Sequence, residues 1–269
     1  MKGRVLIVAG SDSGGGAGIQ ADIKTVTALS GYAMTAITAL TAQNTLGVFG
    51  IQEVPPEFVA RQMELALEDI GADAVKIGML HRAEVIAAVA DVLEARAKGI
   101  PLVLDPVMVA KGGASLLQDA AVRALAERLL PLATLLTPNI PEAEVLAGHP
   151  IVGPEDAAKA ACALSLKGRA VLLKGGHLPG DRVVDLLAED GRIVARFEGR
   201  RIDTPHTHGT GCTLASAIAT GLAQGMAVGT AVSRARRYVL EAIQAAPGFG
   251  RGHGPLGHGH TVRPFMEER

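Results

Sequence analysis

Six consecutive residues, Thr207-His208-Gly209-Thr210-Gly211-Cys212, run straight into the apolar stretch Thr213–Leu222. Two glycines flank a threonine and a helical pattern begins at once. The first N–H groups of a helix have no partner within it and carry a partial positive charge. Glycine lets that backbone come close to an anion. The segment is therefore a candidate cradle for a phosphate, or for an oxyanion that forms during a reaction. Cys212 falls in the first helical turn, where the dipole is expected to draw a thiol from about 8.5 toward neutrality. A glycine-softened loop before a buried helix would show the same residues, so the chemistry needs partners from elsewhere in the chain.

The hydrophobic pattern supplies a scaffold to hold them. Short apolar runs at Val5–Ala9, Tyr32–Gln43, Val48–Val54, Ala74–Ile77, Pro101–Leu104, Ala133–Thr137 and Ala170–Leu173 read as strands. Between them, helical patterns span Ala17–Leu29, Pro55–Asp69, Ala83–Lys98, Ala120–Leu130, Pro141–Leu146 and Glu155–Leu166. Strands alternating with helices and buried as continuous apolar runs predict a mostly parallel sheet covered on both faces. Arg182–Leu187 and Gly191–Phe197 then read as a hairpin about Asp190-Gly191, followed by helices over Thr210–Ala223 and Val228–Ala245. With no low-complexity linker and no repeat, residues 1–269 are expected to form one domain.

In open α/β sheets, ligands sit beyond the carboxyl ends of the strands. Ser11–Gly16, Gln43–Thr45, Gly78-Met79, Asp105, Asn139 and Lys174–His177 each follow a strand directly. Strand-to-helix turns favour Gly and Ser anyway, but that preference accounts poorly for Gln43, Asp105 and Lys174. The spacing Gly14-Gly15-Gly16 is not the dinucleotide-binding Gly-x-Gly-x-x-Gly, and no Gly-x-x-x-x-Gly-Lys-Ser/Thr occurs, so Rossmann and P-loop readings fall.

Composition narrows the function classes. With 48% hydrophobic residues among 269, the chain can build a large core, yet only 3% are aromatic and none is Trp. A net charge of −1 and so few rings argue against nucleic acid as partner. Two cysteines, Cys162 and Cys212, make neither a disulfide framework nor a zinc set. His253, His258 and His260 do not have the spacing of a helical ligand pair, so a tail role is expected for them. The apolar run after Met1 is too short for a signal peptide, and no stretch is long enough for a membrane span. A reducing cytoplasm is the expected setting.

Ala9–Thr25, Gln43–Thr45, Lys76–Leu80, Leu104–Met108, Leu136–Glu144, Leu173–His177, His208–Cys212 and Gly252–His258 together resemble, in order, the hydroxymethylpyrimidine/phosphomethylpyrimidine kinases of thiamine biosynthesis. These are ribokinase-like enzymes, and the resemblance spans nearly the whole chain. It implies a three-layer α/β/α fold with a small β flap, ATP and Mg²⁺ as cofactors, a homodimer, and two successive phosphorylations of 4-amino-5-hydroxymethyl-2-methylpyrimidine. Most ribokinase-like sugar kinases carry Asp where this chain has Cys212, which argues against a sugar.

Roles follow residue by residue. Backbone N–H groups of Gly209, Thr210, Gly211 and Cys212 form an anion hole for the transferring phosphoryl group, and the resemblance makes Cys212 the acceptor of the hydroxyl proton. Asn139-x-x-Glu142 resembles the superfamily's metal-associated motif, with Asp105 as second metal candidate. Lys174, Asn139, Thr210 and Gly211 would meet ATP. Gln43 offers a donor and an acceptor on one amide, and by resemblance reads the pyrimidine edge. Met79 and Val107 would wall the ring, Gly10 and Ala17 would let it approach the backbone, and Asp22 is a further pocket candidate. No role is assigned to Ala110–Gly113 or Leu178–Arg201. A pyridoxal kinase of the same superfamily is the alternative, and a nucleotide-sensing regulator on a kinase fold is a third.

Overall fold

A computed structural model describes residues 2–108, 119–166 and 168–262. The Ala110–Gly113 loop lies outside them.

The first strand, β1 (Arg4–Asp12), shows why the chain layers as it does. Successive side chains of a strand point to opposite faces. Leu6 and Val8 enter one core, with Val75 and Ile77 and the helices α2 (Pro56–Asp69) and α3 (Ala83–Arg96). Val5, Ile7 and Ala9 enter the other, with α7 (Thr210–Ala223) and α8 (Val228–Gln244). With both faces apolar, the sheet has to be covered twice, and the expected three-layer α/β/α architecture results.

Among the described residues the sheet has nine strands, in the order β3-β2-β1-β4-β5-β6-β7-β8-β9. Strands β2 (Tyr32–Asn44), β4 (Ala74–Ile77), β5 (Leu102–Leu104), β6 (Leu135–Leu136) and β7 (Ala170–Leu173) run parallel to β1. Antiparallel strands finish both edges: β3 (Gly47–Glu53) on one, the hairpin β8 (Arg182–Glu189) and β9 (Arg192–Arg200) on the other. The hairpin turns on Asp190 and Gly191, both with positive φ (47° and 75°), as a two-residue turn of matching twist requires. Because β1 is followed by β2 on one side and β4 on the other, the strand order reverses beside β1. A crevice opens at such a point.

Differences from the sequence reading are local. Strand β6 is two residues long rather than five, and α4 (Asp119–Ala124) gives way to a wider turn over Leu125–Leu129 instead of running to Leu130. The remaining helices are α1 (Gly18–Ala28), α5 (Ile140–Ala147) and α6 (Pro154–Leu164). After α8 the chain crosses back as a strap. The N–H groups of Arg251 and Gly252 donate to Thr45 Oγ1, that of His253 donates to the Thr45 carbonyl, and Gly254 accepts from the N–H of His208.

Candidate active site

A cleft of about 1180 Å³ opens at the carboxyl ends of the strands. Among the expected site residues, Gly10, Ala17, Gln43, Met79 and Val107 line one end, and Asp105, Asn139, Glu142, Lys174 and Gly209–Cys212 line the rest. Asp22 does not. Its carboxylate is fully buried beneath the cleft, 2.8 Å from Lys76 Nζ and 2.7 Å from Ser216 Oγ. A carboxylate on the inner face of α1 must find a counter-charge, and it finds Lys76 on β4. The pocket role expected for Asp22 is replaced by a buried ion pair joining α1, β4 and α7.

Helix α7 is buried almost all round, from Thr213 to Gly221, which fixes the position of its N-terminus. Gly209 caps it with φ 83°, and a side chain there would strike the Gly16 carbonyl. The Thr210 hydroxyl donates to the Thr207 carbonyl at 2.7 Å, and the Thr210 N–H turns back to the same oxygen at 3.3 Å. The open end of the expected anion hole is thus the Gly211 and Cys212 backbone. Lys174 Nζ and Asp105 Oδ2 stand beside it, 3.4 and 3.5 Å from where a Gly211 Cβ would be.

The Cys212 thiol departs from expectation. It keeps part of its surface open, but protein packs around the sulfur. Burial pushes it up to about 11, against the pull of the Lys76 ammonium, and the carboxylates of Asp22 and Asp105 push the same way. A helix dipole acts over a turn; lost hydration, helped by the two carboxylates, outweighs here the dipole, the Lys76 ammonium and the Gly18 N–H. The resting thiol is neutral at pH 7 instead of poised for ionisation.

Asp105 and Lys174 are paired at 3.0 Å, and the same Asp105 oxygen accepts from Thr137 at 3.1 Å. Asn139 and Glu142 form a reciprocal capping box on α5: Asn139 Oδ1 accepts the Glu142 N–H and Glu142 Oε2 accepts the Asn139 N–H. Burial pushes Glu142 up to about 7; Lys174 lowers it and Asp105 raises it. Among the described residues no cluster of three or more His, Cys, Asp or Glu stands ready as a metal cage. An Asp105 oxygen with no hydrogen-bond partner among the described residues, beside Glu142, suits a cation that keeps most of its waters, as Mg²⁺ does.

At the other end, Asp12 is nearly buried and carries three backbone bonds, from Gly14, Gly16 and Ala17. Its fourth partner is His208 Nε2 at 2.9 Å. Burial would raise this carboxyl, but the His208 bond and the N–H groups of Ala17 and Gly14 hold it below the usual range. The Gln43 amide lies with Nε2 3.1 Å from His208 Nε2 and Oε1 3.1 Å from Thr41 Oγ1. Sequence reasoning missed Asp12, Lys76 and His208 as individuals. The signal was present, since each lies inside a recognised motif, but motif membership does not say which residues touch. His258 is buried against Tyr238, 3.1 Å from its hydroxyl, and the His260 ring lies tilted at 41° against the same ring, so these two tail histidines pack on Tyr238.

The model of the phosphomethylpyrimidine kinase family matches residues 12–257. The thiamine biosynthesis bifunctional protein ThiED of Geobacter sulfurreducens is 56% identical over 96% of this chain, which spans about half (52%) of that longer relative. A hydroxymethylpyrimidine/phosphomethylpyrimidine kinase of Rhizobium meliloti is 50% identical over 95% of this chain and 96% of its own length. Among solved structures, the pyridoxal kinase of Staphylococcus aureus in complex with AMP-PCP and pyridoxal superposes with a TM-score of 0.85 at 34% identity, covering 96% of this chain and 94% of that one. A match that runs from the Asp12 loop to the strap, with half the residues identical in a full-length relative, means that this chain belongs to the phosphomethylpyrimidine kinase family.

Proposed function

We propose that the cleft transfers the γ-phosphoryl group of ATP twice: first to the hydroxymethyl oxygen of 4-amino-5-hydroxymethyl-2-methylpyrimidine, then to the monophosphate so formed. Family membership makes the chain a kinase of thiamine biosynthesis. The observation that carries the residue assignments is the shared cleft: the α7 N-terminus, flanked by Lys174 and Asp105, opens into the same space as the Gln43 amide.

Phosphoryl transfer is mainly a matter of positioning and charge stabilisation. The Gly211 and Cys212 N–H groups meet the transferring phosphoryl oxygens, with Gly209 and Thr210 shaping the turn. Lys174 places its ammonium toward the ATP phosphates as a point charge, and Asn139 holds the start of α5 beside them. Asp105 and Glu142 would hold Mg²⁺ largely through water; that ion neutralises phosphate charge. Gln43 reads the pyrimidine edge, Met79 and Val107 enclose the ring, and Gly10 and Ala17 give it room. In the first step the hydroxymethyl oxygen bonds to the γ-phosphorus as the bond from that phosphorus to ADP breaks, and the hydroxyl proton passes to the Cys212 sulfur where that is ionised and otherwise to solvent. In the second, a phosphate oxygen attacks and no proton need be removed.

The reading extends to one kinase domain over residues 1–269, a cytoplasmic setting and a homodimer. Leu40, Leu46 and Phe49 stand exposed on β2, β3 and their turn, as a face shared with a second copy would require.

A product-resolved assay with ATP and Mg²⁺ tests the reading, offering the pyrimidine, its monophosphate, pyridoxal and ribose side by side. Conversion of both pyrimidines to the diphosphate is expected. Turnover of pyridoxal alone, the activity named for the structurally similar kinase, would keep the anion hole and overturn the substrate. No turnover at all would bring forward a nucleotide-sensing regulator.

A further inference from the structure

The structure turns the Gln43 amide oxygen toward Thr41 and its nitrogen toward His208; the two ends of an amide are assigned from their hydrogen-bond partners, and the partners here call for the reverse. Thr41 Oγ1 lies 3.1 Å from one end and 2.9 Å from the Ser11 carbonyl. A hydroxyl has one proton and a carbonyl only accepts. Thr41 therefore donates to Ser11 and must accept from Gln43, which puts the amide nitrogen toward Thr41. The other end gives the same answer by a separate route. His208 Nε2 is 2.9 Å from Asp12 Oδ2, and an ionised carboxylate only accepts. Nε2 must then carry the proton, and a protonated ring nitrogen has no lone pair to accept from an NH₂, so the amide group 3.1 Å away is oxygen, sharing that one proton with Asp12.

We propose that Asp12, His208 and Thr41 lock the Gln43 amide in this single orientation, making it a selector for a 4-amino- over a 4-oxopyrimidine. The proposal rests on the reading that Gln43 faces the pyrimidine edge. After its two internal bonds, the amide has one N–H and one oxygen lone pair left to offer. A 4-aminopyrimidine presents a donor on its amino group beside an acceptor at N3. The 4-oxo analogue presents the reverse, an acceptor oxygen beside an N3–H donor. A freely turning amide would flip and read both. A locked amide pairs with one and sets donor against donor and acceptor against acceptor in the other. Asp12 is anchored by the N–H groups of Gly14, Gly16 and Ala17, so the lock is tied to the backbone of the loop before α1. His208 is held from behind by the strap, where its own N–H donates to the Gly254 carbonyl. Asp12 and His208 are positioning residues; they act on the substrate through Gln43.

Two measurements test this. A neutron structure of the protein without substrate reads the amide directly: deuterons on the end facing Thr41 are expected, and deuterons on the end facing His208 overturn the lock. The second compares kcat/KM for the 4-amino substrate and its 4-oxo analogue. Wild type should prefer the amino form by about a hundredfold or more, the scale set by leaving site polar groups mispaired. His208→Leu and Thr41→Val should bring the ratio to within about tenfold, mostly through KM. His208→Gln, whose NH₂ can donate to both Asp12 and Gln43, should restore it. A folded His208→Leu protein with the full wild-type ratio overturns the proposal. So does a wild type that accepts both pyrimidines equally; an unchanged KM in Gln43→Ala would then trace the failure to the pyrimidine-edge reading rather than to the lock.

Discussion

Replacing Cys212 by alanine measures how much of the first phosphorylation depends on the thiol. With that thiol pushed up to about 11, roughly 3 molecules in 10,000 carry a thiolate at pH 7.5. A positioned base contributes about 10²- to 10⁴-fold when it is in the right protonation state. Scaled by the ionised fraction, that advantage falls to roughly threefold at its upper end. Cys212→Ala is therefore expected to slow the first step less than about tenfold at pH 7.5, because the backbone N–H groups remain. The thiolate fraction then grows about tenfold per pH unit, so the gap between wild type and variant should widen to as much as about a thousandfold near pH 10. In the second step the attacking phosphate is already anionic, and the two proteins should stay together throughout. Initial rates for each pyrimidine across this range, with iodoacetamide alkylation of Cys212 alongside, supply the test, since alkylation follows the thiolate. A loss of about a thousandfold at pH 7.5, with an alkylation midpoint near 8, would refute the burial argument. Equal loss in both steps would show that the side chain serves the anion hole by packing.

Gly209→Ala puts a side chain at φ 83° against the Gly16 carbonyl, and both phosphorylations should drop by about a hundredfold or more while circular dichroism is unchanged; near-normal rates would detach this turn from the chemistry. Asp22→Ala strands the fully buried Lys76 ammonium, and urea unfolding should show a loss of about 3–5 kcal/mol. Most of that loss should return in the Asp22→Leu, Lys76→Met double variant, and no recovery would mean the pair does more than balance charge. Burial, aided by the charges of Lys24 and His260, pushes His258 down to about 4. Because the unfolded chain binds that proton near 6.5, the stability contributed by neutral His258 is present above about pH 6.5 and lost as pH falls toward 4. The loss is up to about 3 kcal/mol, and His258→Asn should flatten that part of the stability profile relative to wild type.

The layered sheet was legible because strand burial leaves runs such as Val5–Ala9 apolar on every residue, while helices show their own period. Polar residues at strand ends marked the cleft for the same reason, since a buried sheet has nowhere else to put them. What stayed hidden was pairing across the fold. Asp22 looks like a helix-face charge until Lys76, 54 residues later, is seen pointing at it from β4. Cys212 looks like an activated thiol because the dipole of its own helix is visible in sequence, whereas the nearby carboxylates of Asp22 and Asp105 are not. His208 sits in a motif that draws the eye to its glycines, and its bond to Asp12 spans 196 residues. Local chemistry can be read along a chain; cancellation between charges needs the fold.

The long-range bonds at the substrate end also say when the protein becomes able to work. Asp12 meets His208 across 196 residues, and Thr45 receives Gly252 across 207. At roughly 5–20 residues per second, a ribosome delivers the second partner roughly 10–40 s after the first. Strands β1 and β2 have neighbours to pair with long before that, but the Gln43 amide has only Thr41 to steer it. The nascent chain therefore acquires its architecture early and its discrimination late. A translation product that stops short of His208 is a sheet without a locked reader.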